Sequence, residues 1–282
     1  MKLLDGGLST VLEEMGEHPS GLLWTAAALV DRPDILVEAH RRFVAAGADI
    51  VISASYQASV PGLVRAGLSE TDARAALAST TDLARQSGAS EVACSVGPYG
   101  ACLGDGSEYH GRYAAGWDEV RAFHRARLEV LVPTAPDWFA IETIPTRAEA
   151  DIIVEELRRF TDAPAWVSFT CADAERTHGG DRLADAAAGI APVVQAVGVN
   201  CTAPELVTEL LESIDCGLPL VAYPNHGRQW DGIRSCWTGP PPSLTTDLPA
   251  WIAAGAQYIG GCCGVGTDGI AALARARDAL AG

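Results

Sequence analysis

Eight short runs of consecutive apolar residues punctuate this chain. Each is followed by a Gly- or Pro-marked turn and then by a stretch of helical period. The runs cover residues 3–5, 49–55, 91–96, 138–143, 165–170, 197–201, 220–223 and 258–262. They are continuous instead of alternating, which is what parallel strands require when both of their faces are covered. Helical segments fall between them at 34–47, 73–87, 118–132, 149–160, 204–214 and 270–280. The first sets Leu36, Ala39, Phe43 and Ala46 on one face and ends at a Gly. The segment at 204–214 carries Leu206, Val207, Leu210, Leu211 and Ile214 as an apolar stripe. Thr146 followed by Glu149, and Thr202 followed by Glu205, read as capping boxes that start helices directly after strands.

Eight strand–helix alternations in 282 residues predict an α/β chain folded as a single (β/α)8 barrel, one domain over 1–282. An open doubly wound sheet is the alternative. It calls for a G-x-G-x-x-G loop after the first strand, and DGGLST at 5–10 lacks that spacing. A barrel places its chemistry at the C-terminal ends of its strands, so the residues there carry the functional reading.

Charge narrows the partners. The formal net charge is -16 and no basic cluster is present, which argues against nucleic acid. No apolar run approaches the ~20 residues of a membrane span. MKLLDGGLST lacks the apolar core of a signal peptide, so a cytoplasmic protein is expected. Eight Cys in a reducing compartment are expected to be thiols, not a disulfide framework. Cys262 and Cys263 are adjacent, which points toward metal or redox chemistry. Packing is a sufficient account of Cys94, Cys102, Cys171, Cys216 and Cys236.

The strand ends gather reactive side chains: Asp5-Gly6-Gly7, Ser53 to Gln57, Glu142-Thr143, Asn200-Cys201, and Gly260 to Gly264 with its two Cys. Three thiolates from the sixth and eighth strands could hold Zn²⁺ with one position open, as catalytic zinc sites do. Glycines around Cys262 and Cys263 would let both sulfurs turn inward. Asp5 and Glu142, with Ser53 beside them, suit a substrate ammonium, and the N–H groups of Gly6 and Gly7 suit a carboxylate. Asp5 could equally cap its own turn, and Glu142 could pair with an Arg. None of the six His forms an H-E-x-x-H pattern. His40 and His124 read as helix surface or packing residues, and only His226, near a strand tip, stands close to the chemistry. Ser53, Ser55 and Ser168 lack a G-x-S-x-G elbow.

Seven segments together resemble the homocysteine S-methyltransferase family: DGGLST (5–10), GADIVISASYQAS (47–59), SVGPYGACLGDGSEY (95–109), IETIP (141–145), GVNC (198–201), YPNHG (223–227) and GGCCG (260–264). The resemblance spans the chain in order. SYQAS and GPYGA with DGSEY bring it nearest the branch that uses S-methylmethionine. It implies a (β/α)8 barrel, zinc on Cys201, Cys262 and Cys263, and a substrate amino group held by Asp5 and Glu142. Three positions depart from the family pattern: Ala54 for a frequent Asn, Gly264 to Thr267 for Arg-Thr-Thr-Pro, and His226 for Ser. None removes a zinc ligand.

The expected reaction is methyl transfer from a sulfonium, S-methylmethionine or S-adenosylmethionine, to the homocysteine thiolate, giving methionine. A free thiol with pKa about 8.5 is mostly protonated at neutral pH, and metal coordination removes that proton. Aromatic faces can stabilise a sulfonium, and Trp24, Tyr56 and Tyr99 are the candidates. The alternatives are a related thiol or selenol acceptor, betaine as donor, a non-catalytic zinc- or thiol-binding barrel, and a dithiol redox pair at Cys262 and Cys263.

Overall fold

Residues 1–17, 26–227, 229–231, 236–238 and 243–281 are described in this computed structural model. The principal strands are β1 (Lys2–Leu3), β2 (Ile50–Ile52), β3 (Glu91–Val96), β4 (Trp138–Ile144), β5 (Ala165–Phe169), β6 (Ala196–Asn200), β7 (Leu220–Tyr223) and β8 (Ala256–Ile259). They form one parallel sheet in which β2 to β7 pair in chain order, β7 pairs with β8, and β8 with β1. A parallel bridge between Leu4 and Ile50 joins β1 to β2 and closes the ring. The expected (β/α)8 barrel is what the chain builds.

Side-chain alternation along the strands sorts the core into two zones. Residues facing outward, such as Val92, Phe139, Ile141, Val167 and Val199, meet the helices in the larger core. Leu4, Ile50, Ala93, Ala140, Trp166, Ala196 and Val221 fill the lumen. Small residues at 93, 140 and 196 leave room for the Trp166 indole. Trp138 and Tyr258 pack on it from the strand starts, with ring centres 5.8 and 6.3 Å away. The lumen is therefore plugged at its N-terminal end. Two residues further along the same inward rows stand Ser95, Glu142, Ser168, Gly198 and Tyr223, so it turns polar toward the C-terminal mouth. Gly198 is required there: a Cβ would lie 1.9 Å from the Val221 carbonyl oxygen.

The helices largely fall where periodicity puts them. Pro33–Ala45 has Pro at its first position, where no N–H is needed, and buries Leu36, Ala39 and Phe43. Gly47, at φ 105°, supplies the left-handed exit. Pro204–Ser213 buries Val207, Leu210 and Leu211. Five further helices escaped the periodicity: Leu8–Glu14, Ala26–Asp31, Val60–Arg65, Leu183–Ile190 and Leu244–Ala253. Most are short, and Leu244–Ala253 carries an internal Pro249. A two-stranded antiparallel hairpin, Gln229–Asp231 with Cys236–Thr238, follows β7. No helix among the described residues is long and apolar enough to cross a membrane.

Both capping boxes need correction. Thr146 Oγ1 does accept from Glu149 N at 3.3 Å, but the Glu149 carboxylate turns to other partners instead of reaching back. At the other helix the N-cap is Ala203, without a side-chain cap. The Thr202 hydroxyl instead donates to Asn200 O and accepts from Cys171 N, tying two strand ends together.

Candidate active site and metal centre

Cys201 follows β6 directly, and Cys262 and Cys263 sit in the turn after β8. Their three sulfurs lie within 4.8 Å of one another, with Cys201 and Cys263 3.7 Å apart. A tetrahedral site with Zn–S bonds of about 2.3 Å has S···S edges of roughly 3.8 Å, so the spacing fits such a centre. Backbone hydrogen bonds fix each cysteine: Cys201 N to Tyr223 O, Cys262 N to Pro224 O, and Cys263 O from His226 N. His226 is buried, and its ring fills the space where a Cβ on Gly264 would stand. The Cys263 thiol is held well below its ordinary pKa by hydrogen bonds with Cys201 and Cys262. Cys262 is pushed well up by its contacts with those two sulfurs and by burial. Three cysteine sulfurs at this spacing form a donor set that suits a thiophilic metal cation.

The rim is held in shape by a buried asparagine. Asn200 Oδ1 accepts from Thr143 N at 2.7 Å and from Ser168 Oγ at 2.8 Å, and its Nδ2 donates to Thr143 Oγ1 at 2.8 Å. The same amide nitrogen stands 3.9 Å from Cys262 Sγ. Thr143 and Cys201, on either side of this hub, are both left-handed, at φ 59° and 49°. Such backbone costs a non-glycine residue roughly 1–3 kcal/mol and persists where surrounding bonds over-determine it. The irregularity in β4 between Ile141 and Ile144 turns Glu142 and Thr143 toward the mouth.

Asp5 and Glu142 face a common cavity of about 300 Å³ that also reaches all three cysteines. Asp5 Oδ2 accepts from Ile52 N at 2.8 Å. Burial pushes the Asp5 carboxyl well above the usual range, and the neighbouring Glu142 charge adds to the effect. Glu142 accepts from Ser95 Oγ, and burial raises it to about 7 despite that bond and the Arg127 charge. Neither expectation of a merely local role holds: Asp5 reaches across to β2, and Glu142 has no Arg salt bridge among the described residues. Ser53 supports the wall, its hydroxyl sharing a hydrogen bond with Ser55 and accepting from Ser95 N. Gly6 and Gly7 line the cavity, where added Cβ atoms would strike Val265 O and Cys262 O. Gly7 N already donates to Val265 O, which withdraws it from a carboxylate nest.

Of the aromatic candidates, Tyr56 lines the cavity. Tyr99 does not reach it: its ring packs edge-on against Tyr113 and Phe123, and its hydroxyl donates to Glu119. Trp24 lies outside the described residues. The aromatic that the loop after β3 brings to the mouth is Tyr109, beside Glu108. That loop is anchored from beneath by Glu149, whose carboxylate accepts from Tyr99 N and Tyr113 OH, each at 2.6 Å, and meets His124 Nε2 at 3.0 Å. His124 and His40 are fully buried, not surface residues. Arg127 is buried too, and spends its guanidinium on the carbonyls of Ser55, Tyr56 and Gly97. Sequence reading assigned no role to Asn200, Tyr109, Glu108 or Tyr223. All four stood inside quoted motifs, Tyr223 as the first residue of YPNHG, with no signal in the residue type alone to mark them.

Fold and site together define a class: a barrel enzyme whose thiol cluster, at the C-terminal ends of the strands, is fit to hold a metal. The chain belongs to the homocysteine S-methyltransferase family, whose model matches residues 2–277. It is 41% identical to Homocysteine S-methyltransferase of Escherichia coli K12, over 96% of this chain and 93% of that one. It is 36% identical to Homocysteine S-methyltransferase 1 of Arabidopsis thaliana, over 97% and 92%. The crystal structure of the homocysteine methyltransferase MmuM from Escherichia coli in its metallated form superposes with a TM-score of 0.86 at 39% identity, covering 98% of this chain and 96% of that one. The activity of this chain is accordingly methyl transfer to homocysteine.

Proposed function

We propose that the chain transfers a methyl group from a sulfonium donor, with S-methylmethionine the favoured candidate, to the thiol sulfur of L-homocysteine, and that it does so with zinc on Cys201, Cys262 and Cys263. The convergence of three sulfurs at tetrahedral spacing carries this reading. Zinc held there would supply the positive charge that brings an incoming thiol to its nucleophilic thiolate form near neutral pH.

The chain's own residues do the positioning. Asp5 and Glu142, on the same cavity as the sulfurs, are placed to take the homocysteine ammonium, while Ser53 braces that wall. In the transfer a C–S bond of the sulfonium breaks as a new bond forms to the homocysteine sulfur. The acceptor proton goes to solvent and the donor leaves as a neutral thioether. Holding the two sulfurs in line supplies much of the rate enhancement. Tyr56 offers a ring face to the cation. The same reading makes 1–282 one domain working in the cytoplasm on small molecules, without nucleic acid or membrane.

The test is metal content alongside activity. Purified protein should carry about one zinc per chain and convert homocysteine with S-methylmethionine; Cys201→Ala, Cys262→Ala and Cys263→Ala should each lose both properties. Full activity in chelator-stripped protein would overturn the zinc assignment.

A further inference from the structure

Two residues of the cavity wall each carry a buried acceptor atom with no hydrogen-bond partner among the described residues: Glu108 Oε2 and Gln57 Oε1. Both are shielded from solvent, and leaving a buried acceptor unmet costs about 1–3 kcal/mol, more for a charged one. Native folds satisfy nearly all such groups, so an unmet acceptor on a residue that lines a cavity calls for a partner, and the cavity is where one can enter. They belong to different strand-end loops, Gln57 to the one after β2 and Glu108 to the one after β3. Both loops are held firmly. Arg127 clamps the carbonyls of Ser55, Tyr56 and Gly97, and Cys102 Sγ contacts Gln57 O at 3.3 Å. Gly100 packs so closely under Glu108 that a Cβ would come within 2.4 Å of its amide nitrogen.

A sulfonium has no N–H to offer these oxygens. A primary ammonium has three, together with the positive charge that a carboxylate requires. The homocysteine ammonium is already matched by Asp5 and Glu142. We infer that Glu108 and Gln57 form a second ammonium subsite, which takes the α-amino group of the methyl donor and selects sulfonium donors that are amino acids over quaternary or amino-free ones. This inference rests on the proposed sulfonium-dependent transfer. Burial also raises the Glu108 carboxyl above its ordinary pKa, as expected of a carboxylate whose counter-charge arrives with a ligand.

The experiment compares two donors, S-methylmethionine and dimethylsulfonioacetate, which has the sulfonium and carboxylate but no amino group. Zinc-loaded wild type should favour S-methylmethionine in kcat/KM by about 10- to 100-fold, the scale of a charge-assisted hydrogen bond. Glu108→Gln should erase most of that preference by lowering only the S-methylmethionine value. The homocysteine KM and the zinc content should stay as in wild type, and Glu108→Asp should restore part of the preference. Gln57→Leu gives an independent readout in the same direction should Glu108→Gln fail to fold. Equal losses with both donors, or a raised homocysteine KM, would assign Glu108 to scaffold or acceptor and overturn the subsite. Wild type that uses both donors equally well overturns the subsite alone; wild type that uses neither overturns the functional reading beneath it as well.

Discussion

Replacing Asn200 with Ala should damage stability and metal binding together, because one side chain braces both. The substitution removes three side-chain hydrogen bonds, to Thr143 N, Thr143 Oγ1 and Ser168 Oγ, all buried. At about 1 kcal/mol each, with the Thr143 N–H left stranded, the loss comes to roughly 3–4 kcal/mol. A domain of this size loses about 2–4 °C per kcal/mol, so Tm should fall by roughly 6–16 °C. Thr143 also loses the bonds that hold it at φ 59°, and Cys201, next in sequence, shares that strain. Metal affinity should fall by about 10- to 100-fold, as when groups behind a ligand shell are removed. Thermal melts with and without metal, and chelator competition for zinc, measure the two effects. A variant that melts within about 1 kcal/mol of wild type and keeps its zinc against chelator would refute the claim that Asn200 holds the rim.

Glu142 sets a pH dependence. Its folded pKa of about 7 lies above its ordinary value of 4.5. The folded state therefore keeps a proton that the unfolded chain has already lost between those values, and stability falls as pH rises across that window, by about 3 kcal/mol in all. Denaturation of wild type between pH 5 and 8 should show this slope, and Glu142→Gln should flatten it. Homocysteine KM should drop as pH passes through about 7 and the carboxylate ionises, and it should be raised and less pH-sensitive in Glu142→Gln; an unchanged KM would remove Glu142 from the acceptor site. Arg127→Met should cost about 3 kcal/mol by freeing three buried carbonyls, and should raise donor KM while zinc content holds; loss of zinc instead would show that the clamp reaches further than its contacts indicate.

The barrel was legible because its strands are covered on both faces, and burial on two sides writes unbroken apolar runs into the sequence. Cys201, Cys262 and Cys263 were legible because strand ends in a barrel converge, so residues 62 positions apart, as Cys201 and Cys263 are, meet by topology alone. What escaped depends on which competing partner a polar side chain finds. Thr202 has the spacing of a cap, yet its hydroxyl is claimed by Cys171 N and Asn200 O. Tyr99 and Tyr109 share one glycine-rich loop, and only the fold decides that Glu149 and Glu119 tether the first while the second faces the mouth. His40 and His124 read as helix surface or packing residues, and only the fold decides for packing: both are fully enclosed, and His124 belongs to the network that seats that loop.

The ring of strands is joined by its thinnest member. β1 contributes two residues to the ladder, and past the Leu4–Ile50 bridge it is the Asp5 carboxylate, not a main-chain carbonyl, that receives Ile52 N. The group proposed to meet the substrate ammonium is thus also the last stitch in the seam. Alanine scanning there will confound recognition with architecture. An engineer who wishes to retune the acceptor pocket should leave residue 5 alone and begin at Glu142, whose carboxylate takes the Ser95 hydroxyl instead of a main-chain N–H of the seam.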